Sequence, residues 1–107
     1  MNTVQIGSIT VGGQNPIALI AGPCVIEDPD RTLAIGRAIK DITARLGMPY
    51  IFKASFDKAN RSSYKSFRGP GLTQGLTILA HIKQELGVPV LSDVHCTTQL
   101  ESAAEVL

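Results

Sequence analysis

The chain has 107 residues, a formal net charge of +1 and 44% hydrophobic residues, a composition ordinary for a globular domain. So small a net charge argues against a general nucleic-acid or membrane binder, and any basic site must be local. No apolar run approaches the roughly 20 residues of a membrane span, and Met1-Asn2-Thr3-Val4-Gln5 lacks the basic-then-apolar pattern of a signal peptide. Two cysteines, Cys24 and Cys96, make no disulfide framework, so free thiols in a reducing cytoplasm are expected.

In chain order, Val4 and Ile6, then Ile9 and Val11, alternate with polar or small residues, and Gly7-Ser8 suits a two-residue hairpin turn. Ile17 to Ala21 is a continuous apolar run, which predicts a strand buried on both faces and ending at Gly22-Pro23-Cys24. Asp28-Pro29 is a helix start, Asp as cap and Pro in the first position. Ile35, Ala38 or Ile39, Ile42 and Leu46 then fall on one helical face. Gly47 ends that helix and Pro49 keeps it from resuming.

Tyr50-Ile51-Phe52 reads as the next strand, and Arg68-Gly69-Pro70-Gly71 as a turn cluster. Leu76, Leu79, Ile82 or Lys83, and Leu86 predict a second helix, closed by Gly87 and Pro89 before a strand over Val88 to Leu91. Thr98 with Glu101 predicts a capping box for a third helix, with Leu100, Ala103, Ala104 and Leu107 on its apolar side. Ser102 to Leu107 reads as mid-helix, as though the chain were cut.

Leu46-Gly47-Met48-Pro49-Tyr50 matches Leu86-Gly87-Val88-Pro89-Val90 at a spacing of 40. Each copy ends a helix and launches a strand, which predicts successive strand–helix units and a parallel sheet. A (β/α)8 barrel needs roughly 250 residues, so the expected fold is α/β: a hairpin cap over residues 1–13, then about the first three units of such a barrel over 17–107. A small self-standing α/β domain is the alternative. An open piece of parallel barrel exposes two strand edges and an inner face, so aggregation or partial folding is expected of the isolated chain.

A parallel sheet would bring the strand ends to one rim, where such folds keep their sites. Phe52 to Ser63 sets three cations, a carboxylate, an amide and three hydroxyls where a strand ends. Lys53 and Ser55 alternate along extended backbone and so point the same way. Lys58, Asn60 and Arg61 add donors on a loop. Two cations near one phosphate are worth roughly 4 kcal/mol each at 4 Å and an effective dielectric near 20. A solvated basic loop is the plainer alternative.

Asp93 and His95 alternate, so they also share a side and could form an acid/base or ligand-binding pair; a His hydrogen-bonded within a crowded rim is the alternative. Cys24 reads as a metal ligand, a nucleophile or a small buried hydrophobe. Glu27 and Cys96 are the other nearby metal-ligating types, without a tight spacing motif. His81, inside the second helix, is expected on the surface. Gly69-Pro70-Gly71 lacks the ending of a phosphate-cradling P-loop.

Four strings together resemble 3-deoxy-D-manno-octulosonate 8-phosphate synthase. They are Gly22-Pro23-Cys24-Val25-Ile26-Glu27, Phe52 to Ser63, Arg68-Gly69-Pro70-Gly71-Leu72 and Ser92-Asp93-Val94-His95. The resemblance runs from the hairpin to the last residue, and Lys58-Ala59-Asn60-Arg61-Ser62-Ser63 is its most specific part. The resemblance implies a (β/α)8 barrel that condenses phosphoenolpyruvate with arabinose 5-phosphate and water, releasing phosphate, in lipopolysaccharide biosynthesis.

By position, Lys53, Ser55 and Lys58 would hold phosphoenolpyruvate, with Lys58 also near the sugar aldehyde. Asn60 would bind sugar hydroxyls. Arg61 and Ser62 would bind the sugar phosphate across a subunit boundary of a homotetramer. Asp93 and His95 would line the reacting centre. Cys24 resembles the metal-ligating position of the metal-dependent class, implying a divalent metal ion whose other ligands, a His, a Glu and an Asp, come from later strands. The related 3-deoxy-D-arabino-heptulosonate 7-phosphate synthases, which carry Lys-Pro-Arg-Thr-Ser-like wording at the basic string, are one alternative. A non-catalytic phosphate-binding fragment is another.

Overall fold

The computed structural model describes residues 2–58, 65 and 67–107. Strands β1 (Val4–Ile6) and β2 (Ile9–Val11) form the antiparallel hairpin, with Ile6 opposite Ile9. Gly7, at φ +57°, opens its turn in a conformation that favours glycine. Strands β3 (Leu19–Ala21), β4 (Tyr50–Lys53) and β5 (Val90–Leu91) form a parallel sheet in the order β3-β4-β5.

Helix α1 (Pro29–Arg45) connects β3 to β4, and helix α2 (Leu72–Leu86) precedes β5. A 3-10 turn at Thr97–Gln99 leads into the short helix α3 (Leu100–Ala104). Tyr50, Phe52, Ala54 and Phe56 pack with Leu76, Leu79, Ile82 and Leu86 of α2 and with Val90 in one core. Each fully buried Leu, Ile or Phe there contributes about 1.5–3 kcal/mol. Because strand residues alternate, this commits Lys53 and Ser55 to the opposite face.

The repeat is structural. Gly47 and Gly87 both take the left-handed conformation, at φ +65° and +66°. Pro49 and Pro89 offer their carbonyls to the preceding strand, from Leu19 N–H at 2.8 Å and Phe52 N–H at 2.9 Å. The two copies differ in packing, since Leu86 is buried and Leu46 is 68% exposed.

Asp28 caps α1 as expected, accepting from the Arg31 N–H at 3.1 Å, with Pro29 in the first turn. The buried stripe of α1 departs from expectation. Thr32, Gly36 and Thr43 face inward, while Ile42 is exposed. A Cβ on Gly36 would stand 2.7 Å from Leu86 Cδ1 and 3.0 Å from Phe52 Cδ2, so the helix sits too close for a larger residue. The inward hydroxyls are satisfied locally: Thr32 donates to the Asp28 carbonyl at 2.7 Å and Thr43 to the Lys40 carbonyl at 3.0 Å.

Two further expectations are corrected. The run Ile17–Ala21 is not buried on both faces: Ile17 is 81% and Ile20 53% exposed, because only the Leu19 and Ala21 side packs against the core. Thr98 does not cap a helix. It lies inside the 3-10 turn, and its hydroxyl meets Cys96 Sγ at 3.2 Å. Of the expected apolar side of α3, Ala103 is buried and Leu107 packs against the core, while Leu100 and Ala104 are exposed. His81 is on the surface as expected.

Candidate active site at the strand ends

Pairing continues beyond the named strands. Val25 bridges Ser55 in parallel, Ser55 N–H donates to the Cys24 carbonyl at 3.1 Å, and Ile26 N–H to the Ser55 carbonyl at 3.0 Å. Gly22 makes this possible, since a Cβ there would fall 1.9 Å from the Lys53 carbonyl oxygen. Cys24 and Ser55 are thereby held side by side on neighbouring strand extensions.

On the face turned from the core, Lys53 Nζ donates to Ser55 Oγ at 3.4 Å. Ser55 Oγ donates in turn to Asp93 Oδ1, and Asp93 Oδ2 lies 3.1 Å from His95 Nε2. The same Nε2 is 2.5 Å from the Asp57 carbonyl oxygen. Since both neighbours are acceptors, Nε2 carries a hydrogen. Phe56, fully buried, presents an edge-on contact to the His95 ring at 6.1 Å between centroids. Gln99 Oε1 accepts from the His95 backbone N–H at 3.0 Å. A cation, a hydroxyl, a carboxylate and an imidazole thus form one continuous chain, able to hold an anion at one end and move a proton at the other.

Lys58 and Cys24 line a cavity of about 220 Å³ with Glu27 and Arg31 beside the first turn of α1. His95 and Cys96 line a different one of about 240 Å³. Cys24 is an exposed free thiol. Among the described residues, no three His, Cys, Asp or Glu side chains gather into a metal cage. Cys24 fits a metal as one soft donor of the three or four that such a site needs. Cys96 has its pKa lowered, chiefly by the hydrogen bond from the Thr98 hydroxyl. Asn60, Arg61 and Ser62 lie outside the described residues.

Sequence reasoning did not anticipate the pair Asp57–Arg68. Arg68 Nε and Nη2 reach the two Asp57 carboxylate oxygens at 2.6 and 3.2 Å, which raises the Arg68 pKa further. The Arg68 carbonyl also accepts from Lys58 N–H at 2.6 Å. The Arg68-Gly69-Pro70-Gly71 cluster marked a turn, but nothing local pairs a turn residue with Asp57. The role of Gln99 had no signal at all.

The DAHP synthetase I family model matches residues 2–107. The chain is 57% identical over 106 residues to a protein of Desulfosudis oleivorans named 2-dehydro-3-deoxyphosphooctonate aldolase. It is 51% and 55% identical to proteins of the same name from Syntrophotalea carbinolica and Geotalea daltonii. These matches cover 97–99% of the chain, which spans 38% of the length of each of these curated relatives. With the match running through every strand and helix described above, the chain belongs to the DAHP synthetase I family.

Proposed function

We propose that this chain is the first part of a (β/α)8 barrel synthase, with the β1–β2 hairpin as its cap and residues 17–107 as its first three strand–helix units. The complete barrel condenses phosphoenolpyruvate with arabinose 5-phosphate and water, giving 3-deoxy-D-manno-octulosonate 8-phosphate and phosphate. The observation that carries this reading is the Lys53–Ser55–Asp93–His95 chain of contacts at the strand ends. It occurs in a sequence 51–57% identical to relatives whose printed name is a phosphooctonate aldolase. That shared name favours the eight-carbon product over the seven-carbon alternative.

In this reading Lys53 and Lys58 neutralise the carboxylate and phosphate of phosphoenolpyruvate, and Ser55 orients Lys53. Asn60 binds the sugar hydroxyls, while Arg61 and Ser62 hold its phosphate across the interface of a homotetramer. Carbon 3 of phosphoenolpyruvate bonds to the sugar aldehyde carbon, water adds at carbon 2, and phosphate leaves. Lys58 and the Asp93–His95 pair serve the proton movements of these steps. A divalent metal ion, with Cys24 as one ligand, would supply Lewis-acid and orienting chemistry when bound. The protein works in the cytoplasm, without nucleic-acid or membrane partners. Among the described residues no helix is long and apolar enough to cross a membrane.

The test uses the whole protein that contains this chain. Phosphate release from phosphoenolpyruvate should require arabinose 5-phosphate, stop on chelation and return with added divalent metal. Preference for erythrose 4-phosphate, or no release with either sugar, would overturn the reading; activity indifferent to chelation and to Cys24→Ala would remove the metal from it.

A further inference from the structure

Arg68 is joined to the site at several points. Its guanidinium grips the Asp57 carboxylate with two contacts, and its carbonyl takes the Lys58 N–H. The residues after it are pinned to the same strand end: Gly71 N–H donates to the Phe56 carbonyl at 2.9 Å. At Gly69, φ is +115° and a Cβ would lie 2.5 Å from that carbonyl oxygen. Arg68 is therefore fixed in place although its side chain is 63% exposed, while the Asp57 side chain that it holds is only 19% exposed.

Asp57 faces two ways. Its carboxylate meets Arg68, and its backbone carbonyl accepts from His95 Nε2. In the neutral ring, a hydrogen on Nε2 leaves Nδ1 as the basic nitrogen. A shift of the Asp57 backbone would take one of the two acceptors from Nε2, leaving the partly exposed Asp93 carboxylate to hold the ring against turning or exchanging tautomers.

We propose that Arg68 is a positioning residue: by clamping Asp57 it makes the Asp57 carbonyl hold His95 in the Nε2–H form, facing Asp93. The proposal deepens the synthase reading and rests on it for its kinetic consequence, but not for its structural one. Arg suits the task because its planar fork fixes a carboxylate in two directions, which a Lys ammonium does not.

The whole protein supplies both tests. By nitrogen-15 NMR of the imidazoles, with His95→Ala identifying the signal, wild type should show the Nε2–H tautomer and Arg68→Ala a mixture. In turnover, Arg68→Ala should lower kcat on the order of ten- to a hundred-fold, as expected of a misplaced reacting group. Arg68→Lys should recover part of the loss. In a His95→Ala background the same substitution should change kcat less than about two-fold, since residues acting through one another are not additive.

An unchanged His95 tautomer in Arg68→Ala, or a full kcat loss in the His95→Ala background, would overturn the proposal. Should Arg68→Ala not fold, Arg68→Gln carries the same two readouts. Should the protein lack synthase activity, the functional reading falls and the NMR result still decides the role of Arg68.

Discussion

Ser55 and Asp93 stand 38 positions apart and share a hydrogen bond, Ser55 Oγ donating to Asp93 Oδ1. Ser55 is buried, and it also receives Lys53 Nζ. Its hydroxyl therefore couples the cationic end of the site to the carboxylate–imidazole end. Ser55→Ala removes a hydrogen bond to a charged group, so a stability loss of about 1.5–3 kcal/mol is expected. Urea denaturation of wild type and variant measures it. The Asp93 carboxylate is 44% exposed, so water replaces part of the bond and the lower end of that range is expected.

Gly22→Ala tests the close approach of β3 to β4. The added Cβ would meet backbone at 1.9 Å, and backbone cannot swing aside as a flexible side chain can. The strand ends must part, at a cost of about 3 kcal/mol or more. A lowered Tm is expected, with Lys53 displaced from Ser55 as the strand ends part. An unchanged Tm would mean that the two backbones are not so close.

Burial pushes the Tyr50 phenol up to about 12, and its hydroxyl donates to the Ala21 carbonyl at 2.9 Å. An ordinary tyrosine phenol titrates near 10.0, so the folded state keeps its proton where the unfolded chain has lost it. Stability from this group is complete below pH 10 and is lost as pH rises toward about 12. Thermal unfolding across that range should show the decline. Tyr50→Phe should flatten it while costing about 1 kcal/mol at neutral pH for the lost hydrogen bond.

The Cys96 thiol is exposed and its pKa is lowered by Thr98, so its thiolate forms at lower pH than in an ordinary cysteine. Alkylation of Cys96, followed by peptide mass spectrometry, should reach half its maximal rate below the usual thiol pKa. Thr98→Val should move that midpoint upward. A midpoint unaffected by Thr98→Val would show that the Sγ–Oγ contact does not hold in solution.

Much of the fold was legible because its signals are local. Asp28-Pro29 announces α1, and Gly47-Met48-Pro49 and Gly87-Val88-Pro89 stop a helix and start a strand through backbone geometry alone. Alternation along extended chain correctly paired Lys53 with Ser55 and Asp93 with His95. The α2 stripe was also readable, because Leu76, Leu79, Ile82 and Leu86 are all large and all buried.

The sequence by itself determined the order of strands and helices, the helix ends, and which polar residues stand at the strand ends. The tertiary structure decided which side of α1 is buried, because that depends on how closely Leu86 and Phe52 approach Gly36. It also decided that Thr98 meets Cys96 and not a helix N-terminus, and that Asp57 serves Arg68 with its carboxylate and His95 with its carbonyl. Periodicity and capping act over a few residues along the chain. Contacts between side chains far apart in sequence are set by where packed elements come to rest, which no local pattern encodes.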